Sequence, residues 1–63
     1  MQVVTQALEA HYGEQVTHIW EVRWGVDYIV RLTNGLFLEV VLTGSGLLVR
    51  PAGEATPWEE VSG

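Results

Sequence analysis

Residues 26–43 read VDYIVRLTNGLFLEVVLT, two runs of branched and aromatic residues on either side of Asn34-Gly35. A type I′ turn needs positive φ at both central positions, and Asn-Gly tolerates that well, so the stretch predicts a β-hairpin. With Asn34 and Gly35 as a two-residue turn, Thr33 faces Leu36, Leu32 faces Phe37, Val30 faces Glu39 and Tyr28 faces Val41. Side chains alternate across a sheet. One face then carries Tyr28, Val30, Leu32, Phe37 and Val41 with Glu39, and the other carries Ile29, Leu36, Leu38, Val40 and Leu42 with Asp27, Arg31 and Thr33. Neither is cleanly polar. A sheet with one solvated side should alternate apolar and polar residues, so both faces are expected to be covered.

Upstream, Val16 to Trp24 (VTHIWEVRW) alternates as a strand, with Val16, His18, Trp20, Val22 and Trp24 on one side. The turn that follows decides where the tryptophans go. A two-residue loop at Gly25-Val26 places Trp20 opposite Arg31, whereas a three-residue loop over Gly25 to Asp27 places Trp20 opposite Leu32 and Trp24 opposite Tyr28. The second gathers Trp20, Val22, Trp24, Tyr28, Val30, Leu32, Phe37 and Val41 on one face, the expected core.

Before that strand, VVTQALEAHY (residues 3–12) sets Val4, Leu8 and either His11 or Tyr12 on one stripe, with Val3 and Ala7 beside it. This is a short amphipathic helix, ended by Gly13 as a left-handed cap and held by packing on the sheet. After Thr43, Gly44-Ser45-Gly46 turns the chain into a last strand, Leu47 to Arg50, which Pro51 stops. The fold expected is α+β: one N-terminal helix packed on a four-stranded antiparallel meander over residues 1–51. An acidic tail containing glycine and proline follows over 52–63. Within it, Thr56-Pro57-Trp58-Glu59 has Thr at N-cap, Pro at N1 and Glu at N3. Two readings stand there: a helical turn anchored by Trp58, or a tail that orders when a partner docks.

The chain has 63 residues, so it is one domain at most and buries only ~60% of its unfolded surface. Association would relieve that marginal stability, and a mean hydropathy of +0.18 points the same way. Absence of cysteine removes disulfides and thiolate metal sites. Three arginines against eight acids give net charge −5, the wrong sign for neutralising phosphates or binding an anionic bilayer, so no direct nucleic-acid or membrane contact is expected. No run reaches the roughly 20 apolar residues of a membrane span. The N-terminus MQVVTQALEAH lacks the basic and apolar regions of a signal peptide. The expectation is a soluble chain, cytoplasmic as written, or exported where a leader has been removed.

No motif for chemistry stands out. His11 and His18 lack ligand spacing, so no metal site is expected. Gly44-Ser45-Gly46 lies between strands and not before a helix, so it is a turn and no phosphate cradle. Glu59-Glu60 are adjacent and do not face each other as an acid–base pair would. The chain is read as no enzyme, without catalytic residues or cofactor. Large aromatics are core residues or interface anchors. Trp20 and Trp24 are assigned to the core, and Trp58 to a partner contact, either with its own domain's edge or with a second chain.

A helix ending at Tyr12-Gly13, a strand centred on Trp20, a Tyr28-x-Val30-x-Leu32 strand and turns at Gly35 and Gly46 together resemble the PepSY-like family related to β-lactamase inhibitory proteins. The resemblance spans roughly residues 4–50. Gly13 stands where that family has proline, and Thr43 where it has aspartate. Family members are typically exported, and no export signal is read here. It implies a non-enzymatic protein-binding or inhibitory module. The expected contact surface is Ile29, Leu36, Leu38, Val40 and Leu42 with Trp58, serving an unidentified protein partner and a homodimer or higher oligomer. The alternative is an acidic regulator of phage or defence type that blocks a basic nucleic-acid-binding surface. That role would need carboxylates in rows.

Overall fold

The computed structural model describes residues 2–61. Residues 62 and 63, the end of the expected tail, lie outside that range. The fold is α+β. Helix α1 (Gln2–Tyr12) precedes five strands: β1 (Val16–Arg23), β2 (Asp27–Leu32), β3 (Phe37–Thr43), β4 (Gly46–Pro51) and β5 (Glu59–Val61). They form one antiparallel sheet in chain order.

The helix is held by its stripe. Val4, Ala7 and Leu8 are buried against Tyr28, Val30, Leu32, Leu38, Val40, Leu47, Val49 and Val61. Gly13 caps the helix at φ +71°, its N–H donating to the Glu9 carbonyl at 2.9 Å, the bond of a left-handed cap. The Glu9 carboxylate accepts from the Val16 N–H at 2.9 Å, which ties the last helical turn to the first strand.

The central hairpin forms where expected, but one residue out of register. Val30 pairs with Leu38 and Tyr28 with Val40. Leu32 N–H donates to Leu36 carbonyl at 2.9 Å and Gly35 N–H to Leu32 carbonyl at 3.0 Å, so the loop is Thr33-Asn34-Gly35. Only glycines have positive φ among the described residues, so Asn34 is not in a type I′ turn. Its side-chain oxygen instead accepts from Leu36 N–H at 2.9 Å, while Gly35 alone takes φ +87°. This is the three-residue loop with glycine in the left-handed position.

The shift turns β3 over relative to the expectation, and the reason is electrostatic. In the two-residue register Glu39 would share the helix-covered face with Tyr28, Val30 and Leu32, and an uncompensated buried carboxylate costs several kcal/mol. In the observed register Leu38 and Val40 take the inward positions, and Glu39 pairs with Arg50 on the other face.

β1 is turned by a different device. Register shifts between Val16 and His18 and between Glu21 and Arg23 place Ile19 opposite Val30, Trp20 opposite Ile29 and Glu21 opposite Tyr28. A β-bulge breaks the period-two alternation and sends the following side chains to the other face. Trp20, Val22 and Trp24 on this strand, and Phe37 on the turned-over β3, all expected in the core, are exposed, and Val41 of β3 is half-buried. Among the expected contact residues, Leu38 and Val40 are 1% and 0% exposed, and Leu36 and Leu42 pack partly buried against the core. Leu38 and Val40 are therefore not available to a partner, and Leu36 and Leu42 are turned toward the core.

The expected tail also changes. No helical turn forms at Thr56 to Glu59. Instead Glu59, Glu60 and Val61 pair with Val49, Leu48 and Leu47, and Val61 enters the core. β4 would otherwise be an open edge, and Val61 supplies the apolar side chain that closes its inner face.

The turn geometry gives a stability prediction. A β-branched residue at the left-handed position is strained by about 1–3 kcal/mol, whereas Gly44 has no positive φ and a Cβ there meets nothing within 4 Å. Gly35→Val is expected to lose that amount in urea denaturation, and Gly44→Ala to stay near wild type. Equal losses in the two variants would contradict this loop.

Candidate interaction face

The helix covers one face of the sheet. Cross-strand pairing arranges the other face in three rows. His18, Arg31 and Phe37 form the first, Trp20, Ile29, Glu39 and Arg50 the second, and Arg23, Asp27, Val41, Leu48 and Glu60 the third.

The aromatic side chains on this face are ordered by contact with one another. The His18 ring stacks on Trp20 with centroids 5.3 Å apart, and Trp20 on Phe37 at 6.1 Å. The Arg31 guanidinium lies 5.7 Å from the Phe37 centroid. Near the β4 side, the Arg50 guanidinium is 4.1 Å from the Trp58 centroid while its Nε meets Glu39 Oε1 at 3.1 Å. Trp20 and Phe37 nevertheless keep 45% of their surface exposed, and Trp24 at the adjoining hairpin tip keeps 88%. Stacked rings and guanidinium contacts contribute about 0.5–1.5 kcal/mol each, enough to hold the rings in place without burying them.

All three arginines of the chain stand in these rows. Arg23 Nε is 3.7 Å from Asp27 Oδ2, and the other Asp27 oxygen is buried without a hydrogen-bond partner. Arg31 has no carboxylate opposite it: its cross-strand neighbours are His18 and Phe37.

The polar contacts on the remaining surface are structural. Tyr12 O–H donates to Glu59 at 3.3 Å and His11 Nε2 lies 3.4 Å from the same carboxylate, so the helix end grips β5. Burial, then the Glu59 charge and this hydrogen bond, raise the Tyr12 pKa above its ordinary value. Tyr28 O–H donates to Glu21 at 3.4 Å, and Gly25 N–H donates to the same oxygen at 3.2 Å. Burial first, and then Glu21, raise the Tyr28 pKa as well, against a smaller opposing effect of Gly25.

Of the residues expected to meet a partner, Ile29 and Trp58 belong to this face. The sequence reading missed Trp20, Phe37 and Arg31 as its centre. The signal for them was present in Glu39, whose exclusion from the core turns Phe37 outward. Among the described residues there is no pocket, no group of three or more potential metal ligands, and no helix long and apolar enough to cross a membrane.

Comparison of the chain with protein-family models, with curated proteins and with solved structures finds no match.

Proposed function

We propose that this chain is a non-enzymatic protein-binding module, of inhibitory type, that works through the face centred on Trp20 and Phe37. One observation carries the reading: two stacked aromatic rings, each 45% exposed, lie on the uncovered side of the sheet beside the arginine Arg31. Interface centres are enriched in aromatic residues and arginine, and tryptophan and arginine dominate measured hot spots. A side chain that the fold needs would be packed under the helix, and these are not.

The reading as an acidic mimic of nucleic acid has less support. It needs carboxylates in rows, and here Asp27 and Glu39 each sit against an arginine.

The test combines stability with contact. Trp20→Thr and Phe37→Thr keep good strand formers at both sites and are expected to cost about 1–3 kcal/mol in urea denaturation, for the two ring contacts each one loses, against about 3–5 kcal/mol for truncating a buried aromatic. A photo-reactive residue at position 20 is expected to cross-link in the source cells to a protein of discrete mass, and Phe37→Arg to abolish that product. Threonine variants as damaging as core truncations, or no cross-link that depends on Phe37, would overturn the reading.

A further inference from the structure

We infer that the protein held by this face is a second copy of the same chain, packed sheet on sheet about a two-fold axis. The inference rests on the reading of the face as a docking surface and names its occupant.

The distribution of charge is the main argument. The face holds Arg23, Arg31 and Arg50 against Asp27, Glu39 and Glu60, so its formal charges cancel. Most of the net charge of −5 therefore lies off it, on Glu9, Glu14, Glu21 and Glu59, which are held by Val16 N–H, Thr33, Tyr28 and the helix end, with Glu54 in the β4–β5 loop. Two copies meeting by any of the acidic surfaces bring like charges together. Meeting by this face, they do not. A strongly charged foreign partner, by contrast, would gain nothing from an electroneutral surface, because steering and register depend on complementary potentials.

The apolar area fits as well. At about 150–250 Å² for an aromatic side chain, the exposed fractions of Trp20, Phe37 and Trp58 amount to on the order of 250 Å². A standard interface takes about 800 Å² from each partner, somewhat more than half of it apolar. The three rings supply about half of that, with Ile29, Val41 and Leu48 of the same rows beside them. An isologous contact uses the same patch twice, which suits a face with aromatic groups near both edges, Trp20 on β1 and Trp58 over β4. Edge-to-edge association through β1 is disfavoured by its two bulges.

Sedimentation equilibrium of the purified full chain tests this. The wild type is expected to be a dimer at micromolar concentration, and the dimer is expected to hold or tighten at high salt, because screening weakens the repulsion between the acidic remainders. Ile29→Arg and, independently, Phe37→Arg are expected to weaken it by about thirtyfold or more, as loss of a hot-spot residue does, with circular dichroism unchanged. A wild-type monomer, a dimer indifferent to both substitutions, or one that dissociates at high salt would overturn the inference. The two readings fail separately. A monomer whose position-20 cross-link joins a different protein and still depends on Phe37 retains the binding module and discards the second copy; a monomer with no such product discards both.

Discussion

Leu38→Glu is expected to leave the chain unfolded, and Trp20→Ala to leave it folded. The Leu38 side chain is 1% exposed and packed among Val30, Val40 and the helix stripe. A carboxylate placed there has no cation beside it, and the penalty of several kcal/mol for an unpaired buried charge meets a total stability that is rarely above about 3–5 kcal/mol in a domain of this size. Trp20 is 45% exposed, and its removal forfeits stacking on His18 and Phe37, about 0.5–1.5 kcal/mol per contact. In a small domain 1 kcal/mol moves Tm by roughly 4–8 °C, so Trp20→Ala melts earlier but cooperatively. Far-UV circular dichroism with thermal melts reads both. A folded Leu38→Glu beside an unfolded Trp20→Ala would show that the sheet packs its other face under the helix.

That pair of outcomes turns on one residue of register, and this is where reading the sequence runs out. The helix stripe of Val4 and Leu8, its Gly13 cap, the turn at Asn34-Gly35 and the stop at Pro51 are local signals; the first marks the buried face of the helix and the others mark element ends in the structure. Register is not local in that sense. Asn-Gly is compatible with a two-residue loop and also with the three-residue loop found, and both leave β2 and β3 as good strands. What separates them is where Glu39 goes once the helix covers one face. A count of carboxylates on each face would have favoured the observed pairing, because the alternative puts one in the core. The bulges of β1 leave a weaker trace, since an extra residue in a strand has no fixed composition.

The candidate face was lost by the same slip. With β3 inverted, Phe37 joined the expected core and Leu38 and Val40 joined the expected contact surface, while the β1 bulges moved Trp20 in the opposite sense to the reading. Ile29 points away from the helix in either register, because β2 presents Tyr28, Val30 and Leu32 to the core in both, and Trp58 lies outside the hairpin.

Val61→Asp is expected to have an effect as large as Leu38→Glu, although it lies in a segment with the composition of a tail. β5 has three residues, two of them exposed glutamates, and neither alternation nor propensity would make it a strand alone. Its stability comes from what it closes. Val61 is 2% exposed and paired with Leu47; Glu59 is held by Tyr12 and His11 on the helix; and Trp58, just before it, covers Arg50. A carboxylate at position 61 must either be buried unpaired or pull β5 off β4, uncovering Leu47 and Val49. Either cost is several kcal/mol. Val61→Ala removes only the methyl groups and should cost about 1.5–3 kcal/mol, with an unchanged urea m-value because β5 unfolds together with the rest. Full stability in Val61→Asp, or a reduced m-value in Val61→Ala, would mean that β5 opens as a separate unit and that the core is complete without it.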